Sequence, residues 1–162
     1  MCEGVQMTRA LAAFAVFVLM ICSPAAASGV SLTGAVVNPK SYSMPDLEAM
    51  PQVSLSVTQQ TGSGPVSHSY SGVLLWSLVT AAQFKNGPGK NSYLRHTMLV
   101  TSQSDDYAAA ISEGEIDPKL AGDQVILAIE KDGAKLDAPQ LVVPGDSHAA
   151  RAVQTVTSIV VQ

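Results

Sequence analysis

The amino-acid sequence reads as a β-rich mixed α+β fold with short helices. Three features say so. Apolar and polar residues alternate in several short segments, an Asp-Gly pair sits between two of them, and only two stretches carry helical spacing.

In chain order, Leu32 to Val37 is the first expected strand. Ser43 to Pro51 should form one or two helical turns: Ser43 is a cap, Pro45 suits the first turn, and Pro51 stops the helix. Val53, Leu55 and Val57 then alternate with Ser54, Ser56 and Thr58, the pattern of a half-buried strand. Gly62-Ser63-Gly64-Pro65 lacks the Lys-Ser/Thr and helix of a phosphate-cradling loop and reads as a linker. From Leu74 to Phe84 a helix is expected, with Leu75, Leu78, Val79 and Ala82 on one face and Gly87-Pro88-Gly89 beyond its end. Trp76 on this helix reads as a packing residue. Leu94 to Thr101 and Val125 to Ile129 are further strands, the second apolar enough to be covered on both faces. Asp132-Gly133 supplies the positive φ of a tight hairpin turn. Leu141 to Val143 and Thr155 to Val161 complete the set with β-branched runs.

The amino terminus carries a different signal. Arg9 precedes a 12-residue uncharged apolar run from Ala10 to Ile21, and Ala25-Ala26-Ala27 offers a small-residue cleavage site. Residues 1–27 are therefore expected to be a secretory signal peptide, with Met7 a more usual start than Met1. The run is shorter than the ~20 apolar residues of a membrane-spanning helix, so no stable anchor is expected. Bulky Ile21 before Cys22 argues against a lipoprotein site. The expected product is one periplasmic or secreted domain, residues 28–162.

Composition narrows the function. The chain has 162 residues, 47% apolar and 14% charged, with a formal charge of −4. That is enough hydrocarbon for a core and no basic surplus for phosphates, which excludes nucleic acid as a partner. Cys2 and Cys22 are the only cysteines and both precede residue 28, so the exported domain would have no thiolate ligand, nucleophile or redox pair. His68, His96 and His148 are widely spaced and form no metal-ligand motif. Each reads as a surface or hydrogen-bonded residue. Asp146-Ser147-His148 is contiguous, and sequence neighbours do not align as a catalytic triad. Glu113, Glu115 and Asp117, followed by Pro118, read as a solvated turn rather than as acid-base carboxylates.

Several segments bear a family resemblance. Tyr70-Ser71-Gly72-Val73-Leu74-Leu75-Trp76-Ser77-Leu78 resembles the Gly-Val-Pro-Leu-x-x-Leu-Leu helix start of the oxidoreductase molybdopterin-binding domain, the catalytic domain of the sulfite oxidase family. Ser104-Asp105-Asp106-Tyr107 is similar to that family's Asp-Gly-Tyr turn. The stretch from Gly122 to Leu136 resembles its Leu-Leu-Ala-Tyr-Glu-x-Asn-Gly-x-x-Leu hairpin. Leu141-Val142-Val143-Pro144-Gly145, Arg151-Ala152-Val153 and Ile159-Val160-Val161 resemble its closing motifs.

The resemblance implies a sulfite-oxidase-type fold and molybdopterin as the one candidate cofactor. It also implies lost chemistry. The resemblance places the family's molybdenum-ligating cysteine at the end of the strand that here reads Val53 to Thr58, where Val57 or a neighbour stands, and no Val, Ser or Thr replaces a soft thiolate. The family's basic residue after Arg-x-Val is Gln154 here. No bound cofactor is thus expected, and the chain is read as a non-catalytic module that binds a small anionic ligand or an exported protein. Its pocket should lie where the strand after Val53, the Asp105-Asp106-Tyr107 turn and the Ser147-His148-Arg151 loop meet. There Tyr107 would stack on or hydrogen-bond the ligand, His148 would exchange a proton, and Arg151 would hold an anionic group. The alternatives are a molybdenum oxidoreductase with an atypical ligand or a completing partner subunit, and a docking protein that pairs through its strand edges.

Overall fold

The computed structural model describes residues 29–103 and 107–162. The expected signal peptide and Cys2, Cys22, Asp105 and Asp106 lie outside the described residues. Among the described residues nine strands form two sheets. In the five-stranded sheet the order is β2 (Lys40–Tyr42), β1 (Val30–Gly34), β9 (Val156–Val161), β5 (Thr97–Ser102) and β6 (Ala108–Ser112). In the four-stranded sheet it is β3 (Val53–Thr61), β4 (Gly64–Leu74), β7 (Ile126–Lys131) and β8 (Ala134–Val142). Among the described residues only β1 and β9 pair in parallel. With short helices α1 (Met44–Glu48), α2 (Leu75–Ala82) and α3 (Glu113–Ile116), this is the expected β-rich α+β class. No helix among the described residues is long and apolar enough to cross a membrane.

The main core joins both sheets and α2. Val30, Leu32, Met98, Val100, Ile111 and Ile159 meet Val73, Leu127 and Leu141 beside Leu75, Leu78 and Val79. A second, smaller apolar cluster holds Val57, Tyr70, Ile126, Ala128 and Val142. Successive residues of a strand face opposite ways, so Leu127 enters the main core while Ile126 and Ala128 enter the second. This accounts for the unbroken apolar run at Val125 to Ile129.

Local chemistry sets several boundaries. Ser43 caps α1 in a capping box: Asp46 N donates to Ser43 Oγ at 3.3 Å, and Ser43 N donates to Asp46 Oδ2 at 2.8 Å. α2 stops at Ala82 rather than Phe84 because Gln83 takes φ 59 and leaves the helix. Phe84 instead bridges to Val36. The Asp132-Gly133 turn has φ 51 and 79, the left-handed pair a two-residue hairpin requires. Gly72 stands at a bulge in β4 where a Cβ would come within 2.1 Å of the Leu127 carbonyl oxygen, so only glycine fits.

Two readings need correction. Gly62-Ser63-Gly64-Pro65 is not a linker but the tip of a long hairpin, in which Thr61 pairs with Gly64 and the ladder runs back to Val53 and Gly72. The expected strand from Leu94 begins at Thr97, because Ser92–Arg95 forms a 3-10 turn.

Candidate functional site

The segment after β8 builds the region in which the sequence places a site. Ser147 accepts at its carbonyl from Gln60 N at 2.7 Å, which ties the loop to the end of β3. The Tyr107 hydroxyl donates to the Ala150 carbonyl. Gln103 N donates to the Thr155 carbonyl at 3.2 Å. The end of β3, Tyr107 and the 147–151 loop therefore do come together.

Arg151 is fully engaged there. Its Nε and Nη2 donate to Asp146 Oδ2 and Oδ1 at 3.0 and 2.6 Å, a bidentate pair, and Nη1 donates to Glu115 Oε1 at 2.9 Å. The Asp146 hydrogen bond, with Glu115 beside it, raises the guanidinium pKa further above its ordinary value. One cation faces two carboxylates, so the local charge is negative and disfavours an added anion. His148 is exposed and precedes the 3-10 turn Ala149–Arg151. Tyr107 is 42% exposed, with its hydroxyl turned to the loop backbone.

The position that the motifs give to a metal thiolate is built of hydrocarbon. Val57 does not end its strand as expected but lies in the middle of β3, because the ladder continues to Thr61; it is 4% exposed and packs in the second cluster with Tyr70, Ile126, Ala128 and Val142. Neither its methyl groups nor the paired Arg151 guanidinium offers what molybdopterin needs: a soft anionic metal ligand and an available cation for phosphate. Among the described residues no group of three or more His, Cys, Asp or Glu side chains converges as a metal would require. The residues present do not fit the cofactor.

A second polar constellation escaped the sequence. Glu113 and Asp117 are 4% and 7% exposed, not a solvated turn. Glu113 Oε2 lies 2.7 Å from His96 Nδ1, and His96 Nε2 lies 3.1 Å from the Lys85 carbonyl. Phe84 stacks on the imidazole, with ring centroids 5.0 Å apart and planes at 16°. A carbonyl only accepts, so Nε2 must carry a hydrogen. The Nδ1 to Oε2 contact then holds one further proton, on the carboxyl of a neutral pair or on the ring of an ionic one. Burial raises the Glu113 pKa, the His96 hydrogen bond opposes this, and Asp117 adds to the rise. Burial thus favours the neutral pair, with the Glu113 carboxyl donating to Nδ1. A cleft of about 350 Å³ lined by Asn86, Tyr93, Glu113, Asp117 and Lys119 opens beside it.

This pairing follows from strand register. Thr97 pairs with Ser112 at the end of the β5–β6 ladder, which sets the next residues, His96 and Glu113, side by side. The signal would have been a strand at 108–112. Its Ala-rich sequence, Ala108-Ala109-Ala110-Ile111-Ser112, does not announce one.

No protein-family model matches the chain, and no curated protein matches it in sequence. Among solved structures, the sulfane dehydrogenase SoxCD from Paracoccus pantotrophus is similar with a TM-score of 0.66 at 16% identity, over 82% of this chain and 37% of that one. The likeness is one of fold, and it agrees with the molybdopterin-oxidoreductase type that the motifs resemble. The chain spans about a third of the neighbour's length.

Proposed function

We propose that the chain is an exported, molybdopterin-oxidoreductase-like domain that performs no molybdenum redox chemistry and works by binding a small ligand or an exported protein. The single observation that carries this reading is Val57. At the place where the resemblance puts the metal-bound sulfur, a valine is sealed in apolar packing. Residues 28–162 contain no cysteine to substitute for it. The paired state of Arg151 favours a neutral or cationic ligand over an anionic one at the 146–151 loop. Tyr107 and Arg151 then act as clamps that fix this loop, and exposed His148 is the proton-exchanging group on it. The partner form has its own support, since β3 is a nine-residue edge strand whose outer side is engaged by the 147–151 loop at Gln60.

Purification from the native host with elemental analysis and mass spectrometry tests the reading. Protein free of stoichiometric molybdenum and pterin is the expected result. One molybdenum and one pterin per chain would overturn it and restore the oxidoreductase alternative.

A further inference from the structure

A second cleft lies on the far edge of the four-stranded sheet, and its walls come from an irregularity in β8. Between the pairs Ala128↔Gln140 and Glu130↔Lys135, β7 advances two residues while β8 advances five. The excess chain from Leu136 to Pro139 bows away from β7, as wide bulges do where a strand is re-aimed. The resulting cleft has a volume of about 380 Å³. Leu136 and Ala138 give it an apolar wall, Gln154 and Thr155 form the opposite side, and Lys131 and Asp137 stand at the rim.

Two features mark the cleft as built for a ligand. Gln140 is 9% exposed, lines it, and makes no side-chain hydrogen bond among the described residues. Its amide bonds to no protein group among the described residues, which leaves its donors and acceptor to water or to a ligand. Every fully sealed side-chain polar atom does have a partner, so the Gln140 amide opens into the cleft rather than into packing. Thr155, across from it, holds φ 49. A β-branched residue in the left-handed region is strained, and such strain gathers at ligand sites.

We propose that this cleft binds a small uncharged molecule that presents a carboxamide, lactam or urea group. A glutamine amide offers one acceptor and two donors side by side, and the group that matches both at once is another amide. The rim charges of Lys131 and Asp137 cancel, and the Lys131 ammonium already sits 5.7 Å over the Tyr70 ring. Neither a net anion nor a net cation is therefore favoured. Leu136 and Ala138 accept the apolar part of the ligand. The proposal is independent of the lost redox chemistry: molybdenum in the native protein would overturn the earlier reading and leave this one standing.

Benzamide, benzoate and benzylamine titrated into isotope-labelled protein test it by nuclear magnetic resonance. Benzamide should move the Gln140 side-chain amide and Thr155 backbone signals saturably, with the two charged analogues about ten-fold weaker or worse, because a site built for paired hydrogen bonds rejects analogues that lack them. Gln140→Leu should abolish the Thr155 response, since it removes the amide that pairs with the ligand. Gln140→Glu, which keeps the shape, should reverse the preference towards the cationic benzylamine. Absence of a saturable benzamide response, equal binding by Gln140→Leu, or benzamide still preferred by Gln140→Glu would each overturn the proposal.

Discussion

Glu113 and Glu115 stand two residues apart on the single turn of α3, and the fold puts them to opposite uses. Glu113 turns inward to His96, where both side chains are less than a tenth exposed. Glu115 turns outward to Arg151, whose side chain is 36% exposed and shared with Asp146. The inner pair is largely shielded from water, so removal of either member leaves the other short of a partner. The outer cluster keeps water on one side, and solvent takes up most of what a lost partner leaves. The inner pair also binds two distant pieces of backbone, since His96 holds the Lys85 carbonyl while Glu113 begins α3. The outer cluster fixes only the 146–151 loop against α3. Stability and a proton thus depend on Glu113, and loop position on Glu115.

Glu113→Ala should break this contrast most visibly. It leaves His96 buried without its Nδ1 partner and should destabilise the domain by about 2 kcal/mol, the cost of a buried polar atom left without its hydrogen bond. Denaturant unfolding measures it. A loss no larger than that of a surface substitution would mean that water from the adjoining cleft replaces the carboxyl.

Glu113→Gln sharpens the comparison, because a glutamine amide can donate to Nδ1 while Nε2 keeps its hydrogen for the Lys85 carbonyl. The change in stability should stay within about 1 kcal/mol, but the pH dependence should change. With its pKa raised in the folded state, Glu113 holds its proton more tightly there than in the unfolded chain. Its contribution is fully present below the ordinary glutamate value of about 4.3 and is lost as pH rises through the raised folded value. The stability of the native protein minus that of Glu113→Gln should fall with rising pH over that window and be flat outside it. Asp46 and Asp132, whose pKa values are lowered, contribute the opposite slope at more acidic pH, equally in both proteins. A difference that rises with pH would show that Glu113 is held ionised in the folded state, and one that is flat throughout that folding does not shift its pKa.

Sequence and fold agree best where local chemistry decides the outcome. The Ser43 cap, the Asp132-Gly133 turn and the alternation in β3 each follow from residues within a few positions of one another. The miss at Gly62–Pro65 has the same root. Two glycines and a proline describe a chain reversal equally well as a linker or a hairpin, and the second strand, β4, exposes much of its length without clear alternation. The site was legible only in part. Tyr107 and the 147–151 loop do meet, yet the carboxylates on Arg151 come from five residues away in the chain and from α3. No spacing rule joins Glu115 to Arg151 across 36 positions. The charge of an arginine is written in the sequence, but whether that charge is already compensated depends on tertiary placement.

The smallest effect belongs to the outer cluster. Arg151→Ala removes three hydrogen bonds to two carboxylates and should still lower stability by no more than about 1 kcal/mol, with the difference shrinking as salt is added. Its consequence should appear in position instead. Freed from α3, the 146–151 loop should exchange its amide hydrogens faster, while protection at the His96 end of β5 stays unchanged. Should Arg151→Ala match Glu113→Ala in destabilisation, independently of salt, the outer cluster would be as structural as the inner pair. The 146–151 loop would then be part of the core's support rather than a clamped surface available for binding.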